Sequence, residues 1–265
     1  MNKFKGFLFG MTASSTFGLL PLFTLPIMSE GLTTNSILCY RMLFASVLVA
    51  VLMQVRKIAF RTNLRELLWF AFLGFFYYGS ASLLFQAYGT MSSGMATTLH
   101  FLYPVGVTLI MALVFKQRPS PFTILAIILG LSGVALLSLK EGGGSSSASL
   151  VGILLVLLSG LSYAAYLVTM NNVRRVRESN NLKLTLYVLI FSALFFLLDT
   201  SLSGGLQMIP SGRALTNLLL LAFLPTLVSN LALVRAVKSI GSTLTSVLGA
   251  MEPLTAIVIG VVVFG

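Results

Sequence analysis

Two ionisable side chains stand inside apolar sequence. His100, the one histidine of the chain, lies in Thr97-Thr98-Leu99-His100-Phe101-Leu102-Tyr103-Pro104, and Glu252 lies in Leu248-Gly249-Ala250-Met251-Glu252-Pro253. An imidazole can relay a proton or contact a substrate near neutral pH, and a carboxyl can take up a proton or hold a cation. Each also has a plain structural reading, a neutral group hydrogen-bonded between helices. A single histidine cannot build a multi-histidine metal site, and no HExxH, P-loop, paired cysteine or repeated acidic cluster occurs. No catalytic residue, metal or cofactor is therefore expected. A serine–histidine dyad would need a serine from another segment beside His100, and the internal repeat described below predicts none.

Other polar groups fall on helical stripes. The stretch around His100 offers Ser93, Thr97, His100, Pro104 and Thr108; further segments offer Tyr78, Ser82 and Gln86, then Ser159, Ser162, Tyr166 and Thr169, then Thr226 and Asn230, and last Thr245, Gly249 and Glu252. In a lipid-spanning helix such groups must find partners or line water, so the stripes are expected to face one another. Arg41 is expected about one turn from a membrane surface, where its long stem lets it act as an interface anchor or structural ion pair. Pro104 and Pro253 each remove a backbone donor within a span and predict two helix kinks.

The elements that carry these residues are set by composition. The chain is 57% hydrophobic and only 9% charged, with a mean hydropathy of +0.99, against about a quarter charged in soluble domains. Crossing a hydrocarbon core of about 30 Å takes roughly 20 helical residues. Apolar stretches of that order recur at 5–28, 36–55, 67–88, 91–115, 122–139, 150–170, 182–199, 214–234 and 241–265. They are Leu-, Ala- and Phe-rich without strict alternation, which predicts an all-α membrane protein rather than a barrel. At about 1.5 Å per residue, His100 and Glu252 both fall near mid-span, where a charged acid costs about 2.5–3.5 kcal/mol on insertion scales.

The net charge of +11 is an orientation signal and does not call for nucleic acid. With the N-terminus inside, Lys3, Lys5, Arg56, Lys57, Arg61, Arg65, Lys116, Arg118, Arg174, Arg175, Arg177, Lys183, Arg235 and Lys238 fall on the inner side, while only Lys140 and Arg213 fall outside. A multi-pass protein of a bacterial-type inner membrane with a cytoplasmic N-terminus is expected, its first span retained as a signal anchor. The lone Cys39 supports no disulfide framework.

The chain also repeats itself. Glu141-Gly142-Gly143-Gly144-Ser145-Ser146-Ser147-Ala148-Ser149 reads as a linker between halves 1–142 and 150–265. Setting Pro104 on Pro253 places Leu84–Ser93 on Leu233–Ser242, His100 on Gly249 and Tyr103 on Glu252; at a slightly different offset Gly6–Gly18 pairs with Gly152–Ala164. Five spans per half force the second half to insert upside down, an inverted repeat of the kind secondary transporters use. No counterpart of Lys116–Leu139 follows in the second half, so a tenth span is expected to be missing.

Each half opens with a glycine-led span of small and aromatic residues. Arg41 comes early in the second span, and small-residue turns lead to the prolines in Ser93–Pro104 and Gly241–Pro253. In these features the chain resembles the drug/metabolite transporter superfamily, specifically its EamA-type ten-span carriers, over nearly its whole length. Such carriers often have an acidic residue just after the fourth span; Lys116-Gln117 stands there instead. The resemblance implies a secondary transporter, an exporter or permease, moving a small organic metabolite by alternating access about a cavity between spans 1, 3, 4, 6, 8 and 9. His100, Tyr103, Glu252, Tyr78, Gln86, Ser162, Tyr166 and Asn230 are the candidate substrate contacts, with Glu252 or His100 as the candidate proton-coupling group. The expected partners are a small-molecule substrate and the lipid bilayer, with no nucleic acid, in a monomer or homodimer. An intramembrane enzyme or lipid-handling protein using His100, or a nonfunctional truncated carrier, are the alternatives.

Overall fold

A computed structural model describes residues 3–91, 93–141, 149–259 and 262. The glycine- and serine-rich linker, Ser92, the side chain of Ser93 and the end of the predicted ninth span lie outside the described residues, apart from Val262. The described chain is helical: α1 (Lys3–Phe17), α2 (Leu20–Ser29), α3 (Thr34–Val55), α4 (Leu64–Tyr88), α5 (Ser93–His100), α6 (Tyr103–Leu113), α7 (Pro121–Glu141), α8 (Leu150–Asn172), α9 (Arg174–Glu178), α10 (Asn181–Leu202), α11 (Gly212–Ala222), a π-helical segment (Phe223–Val228), α12 (Ser229–Leu248) and α13 (Met251–Ile259).

Polar residues open several of these helices by satisfying their free N–H groups. Asn63 Oδ1 accepts from the Glu66 backbone at 2.7 Å, Asn180 Oδ1 from Leu182 at 2.9 Å, and Ser211 Oγ from Ala214 at 3.0 Å. Among the described residues six apolar helical stretches, Lys3–Ser29, Thr34–Val55, Leu64–Tyr88, Leu150–Asn172, Asn181–Leu202 and Gly212–Leu248, are long enough to cross a membrane. Val47, Val51, Phe72, Phe75, Leu154, Leu158, Leu194 and Leu198 are exposed on their outer faces, as a lipid-facing belt requires.

Several predicted spans are interrupted. The fourth is divided between α5 and α6 at Phe101–Leu102, and the ninth is broken between α12 and α13 at Gly249–Ala250. Pro104 and Pro253 consequently do not kink continuous helices. Each sits in the first turn of a new one, where its missing N–H has no helical partner to lose. The two breaks fall at equivalent points of the repeat. Pro21 opens α2 in the same way, dividing the first span. The segment Arg235–Ile240, expected as a loop, is helical, and the backbone leaves helical geometry at Gly241 (φ 85°, ψ 166°), a conformation that only glycine adopts without strain.

The packing follows a two-fold exchange between halves. The opening helix α1 lies along α12 of the second half, while α8, which opens the second half, lies along α4 of the first; α3 and α10 pair with each other, α3 also touching α11 and α10 touching α4. Glycines permit the closest of these approaches. A Cβ on Gly74 would stand 2.6 Å from Phe191 Cβ and 3.1 Å from the Val188 carbonyl, and Ser192 Oγ donates to the Gly74 carbonyl at 3.0 Å. The centre of the bundle, where both broken helices meet α1, α4 and α8, is left to polar residues.

Candidate functional site

The central cavity is built from both halves. α1 supplies Ala13, Ser14 and Phe17, α4 Tyr77, α6 Tyr103, α8 Tyr163 and Leu167, α12 Ser229, Asn230, Leu233 and Thr245, and α13 Glu252. The space between them is about 20 Å³, room for on the order of one water molecule. The space at the polar centre is therefore narrow.

The π-helical segment organises one wall. Pro225 has no N–H to give the Leu221 carbonyl one turn earlier, and the Thr226 hydroxyl donates to that carbonyl instead, at 2.8 Å. Its lone pairs then accept from Arg41 Nε at 2.7 Å. Arg41 is only 2% exposed, its guanidinium stacks over the Phe17 ring at 5.1 Å, and Nη2 has no hydrogen-bond partner among the described residues. The expected surface anchor is thus a buried cation held in the core, within electrostatic reach of Glu252. Next to it, Asn230 Nδ2 donates to the Thr226 carbonyl at 2.8 Å and to Tyr77 Oη at 3.3 Å. Ser229 Oγ donates to the Ala13 carbonyl at 2.8 Å, tying α12 to α1. π-Bulges recur at functional positions because they redirect side chains in this way.

Aromatic rings form the opposite wall. Tyr103 and Tyr163 meet edge to face at 4.8 Å, Tyr163 stacks on Tyr166 at 5.9 Å, and Tyr166 leans on Tyr77 at 5.4 Å. The Tyr103 hydroxyl lies where a side chain on Gly249 would be, 1.7 Å from an added Cβ. Positions paired by the repeat therefore touch at the centre: the first-half tyrosine sits on the glycine that aligns with His100.

Of the candidate residues, Tyr103, Asn230 and Glu252 line this cavity. The others stand elsewhere. Tyr78 is turned to α10, against Phe195 and Phe196; Gln86 is exposed and donates to Ser82 Oγ within its own helix; Ser162 lies 3.7 Å from an added Cβ on Gly79 and serves the α4–α8 contact. Tyr166 is 1% exposed and backs the tyrosine wall. One physical cause accounts for α4. Gly74, four residues before Tyr78, fixes the face that packs on α10, so Tyr77 and not Tyr78 turns inward. Gly74 is the signal that reveals this rotation; Tyr163, four residues after Ser159 and three before Tyr166, shares the face of that stripe, so helical spacing was the signal that could have found it.

His100 has an unexpected neighbour. Ser159 Oγ lies 3.0 Å from His100 Nδ1, a serine–histidine contact the repeat did not predict. The direction of the bonds decides its meaning. Ser159 has one hydroxyl hydrogen, which it donates to the Ser80 carbonyl at 2.5 Å; the bond to His100 is then donated by Nδ1–H. An attacking serine must donate to its imidazole base, the reverse of this arrangement. Ser159 is also fully buried and is not part of the lining of the central cavity. The chain His100–Ser159–Ser80 joins α5, α8 and α4 as a structural link.

Apolar helices long enough to cross a membrane, arranged in two halves around a narrow polar centre, are the architecture of a multi-pass integral membrane protein. The model of the EamA-like transporter family matches the chain over residues 4–139 and again over 150–265, and the chain belongs to that family. The uncharacterized transporter YcxC of Bacillus subtilis (strain 168) is 33% identical over 125 residues, which are 45% of this chain and 37% of that protein. A solved crystal structure superposes on 98% of this chain and 88% of its own with a TM-score of 0.82 at 20% identity, a likeness of fold.

Proposed function

We propose that this protein is a secondary carrier of a bacterial-type inner membrane, with its N-terminus in the cytoplasm, moving a small organic solute by alternating access. The observation that supports this reading most is the central cavity, because its polar lining comes from both halves yet leaves too little room for a solute. A site of this kind serves transport only if the halves part and admit solute, on one side and then the other. Tyr77, Tyr103 and Tyr163 offer ring faces with hydroxyl tips, suited to a solute that is partly apolar. Asn230 supplies the amide, and Glu252 supplies the group that takes up and releases a proton. His100 acts behind the site by holding α5 against α8. No ATP-binding signature is present in the sequence, so flux follows the solute gradient or a proton gradient.

Cells expressing the wild type, challenged with a panel of toxic amino-acid, purine and sugar analogues, are expected to change their sensitivity to at least one compound. Asn230→Leu, expressed at equal level in the membrane, is expected to lose that change. Unaltered sensitivity across the panel, or full activity in Asn230→Leu, would contradict the reading.

A further inference from the structure

A second pocket lies away from the central cavity, at the end of the bundle that carries the N-terminus. It is open, about 520 Å³, and is lined by Lys5 and Phe9 of α1, Asn181 of α10, and Arg235, Lys238 and Ser239 of α12. Three cations share it with an amide and a hydroxyl, and no carboxylate lines it. Lys238 is bent inward, its Nζ donating to the Ser179 carbonyl at 2.7 Å. The acid whose charge reaches Lys238 is Glu66, which is engaged by the Thr62 hydroxyl at 2.5 Å and is not part of the lining. Arg235 lies flat over the Phe9 ring at 5.1 Å, which holds its planar fork at the pocket wall. Among the described residues neither Lys5 nor the Arg235 guanidinium has an ion-pair or hydrogen-bond partner.

The walls are tightly fixed. α1 packs along α12 here without a gap, since a Cβ on Gly6 would meet Ser239 Oγ and Ile240 Cγ2 at 2.6 Å each. The Ser239 hydroxyl is shielded from solvent in this seam, so Ser239 borders the pocket without offering it a donor. Orientation signals need only free cations at a membrane surface. They do not need one cation turned inward and one laid over a ring beside an amide in a shared concavity. An oxyanion with several acceptor oxygens matches this set: the Arg235 fork takes two of them, and Lys5 and Lys238 neutralise the charge.

We infer that the pocket formed by Lys5, Asn181, Arg235, Lys238 and Ser239 binds a phosphate-type oxyanion, carried either by an acidic phospholipid headgroup or by a soluble molecule. Basic pockets between membrane helices at this depth hold phospholipid headgroups by the same chemistry. The site is separate from the central cavity and stands whether or not the transport reading holds.

The test has two arms. In neutral detergent, inorganic phosphate is titrated at constant ionic strength against chloride, with the melting temperature as readout. In lipid nanodiscs, phosphatidylglycerol is compared with phosphatidylcholine, with the same readout and with native mass spectrometry of retained lipid. The wild type is expected to be stabilised in at least one arm, and Lys5→Gln/Arg235→Gln to need about tenfold more anion for the same shift. Arg174→Gln/Arg175→Gln, which removes exposed cations elsewhere, should respond like the wild type. Stabilisation by soluble phosphate assigns a free solute; stabilisation confined to phosphatidylglycerol assigns a lipid. Arg235→Lys, which keeps the charge and loses the fork, reads the site if the double variant fails to fold, and an intermediate affinity is expected. Equal response of wild type and these variants, or no response in either arm, would overturn the inference.

Discussion

At the scale of single residues, one acid, Glu252, lines the small polar space at the centre, and one buried cation, Arg41, stands behind that lining. Arg41 is held by Thr226 and Phe17 but keeps an unpaired Nη2, and Glu252 feels its charge from α13. Removing one member of such a pair leaves the other desolvated without its counter-charge, while removing both relieves that penalty. Arg41→Met and Glu252→Gln are therefore expected to lower thermal stability separately, and their combination to cost less than the sum by about 0.5–3 kcal/mol. Additive losses in a double-mutant melting cycle would show that the two groups act independently. Glu252 stood out in the sequence because it is an acid in an apolar run. The burial of Arg41 was hidden, since an arginine near a span end is equally compatible with reaching the surface; only the π-segment created by Pro225 supplies its inward partner.

At the scale of elements, helix rotation and helix breaks decide which side chains meet. The spans were legible from apolar run length, and the repeat from matched small residues and prolines. Rotation was less legible, because stripes of polar residues appear both on cavity walls and on packed faces. On α4 the stripe Tyr78–Ser82–Gln86 points away from the cavity, and glycine contacts set the true register. That gives a contrast within one helix. Gly74→Ala places a methyl against Phe191 and the α10 backbone and is expected to cost about 1–3 kcal/mol. Gly79→Ala meets nothing nearer than Ser162 Oγ at 3.7 Å and is expected to be neutral or to gain up to about 1 kcal/mol from helix propensity. Melting of the two variants in the same detergent checks this; equal effects would mean that α4 is turned differently. A missing N–H disrupts a helix interior, so sequence alone predicts kinks at the two prolines. The chain avoids the disruption by ending one helix and starting another, with the proline in the new first turn.

At the scale of the whole molecule, the exchange of contacts between halves is what the proposed alternating access rests on. α1 on α12 and α8 on α4 are corresponding interfaces, and in the proposed carrier each parts while its counterpart stays packed. The cavity between them holds on the order of one water, so under the proposed mechanism a solute would reach Tyr77, Tyr103, Tyr163, Asn230 and Glu252 only after one interface opens. The most direct measurement uses the single cysteine of the chain. With Cys39→Ala as background, Ser14→Cys places a thiol on the cavity wall in nearly the space of the native hydroxyl. It is treated with a membrane-impermeant thiol reagent from either face of oriented vesicles. Alternating access predicts slow modification from both faces; modification from one face alone, or from neither in folded protein, would contradict it.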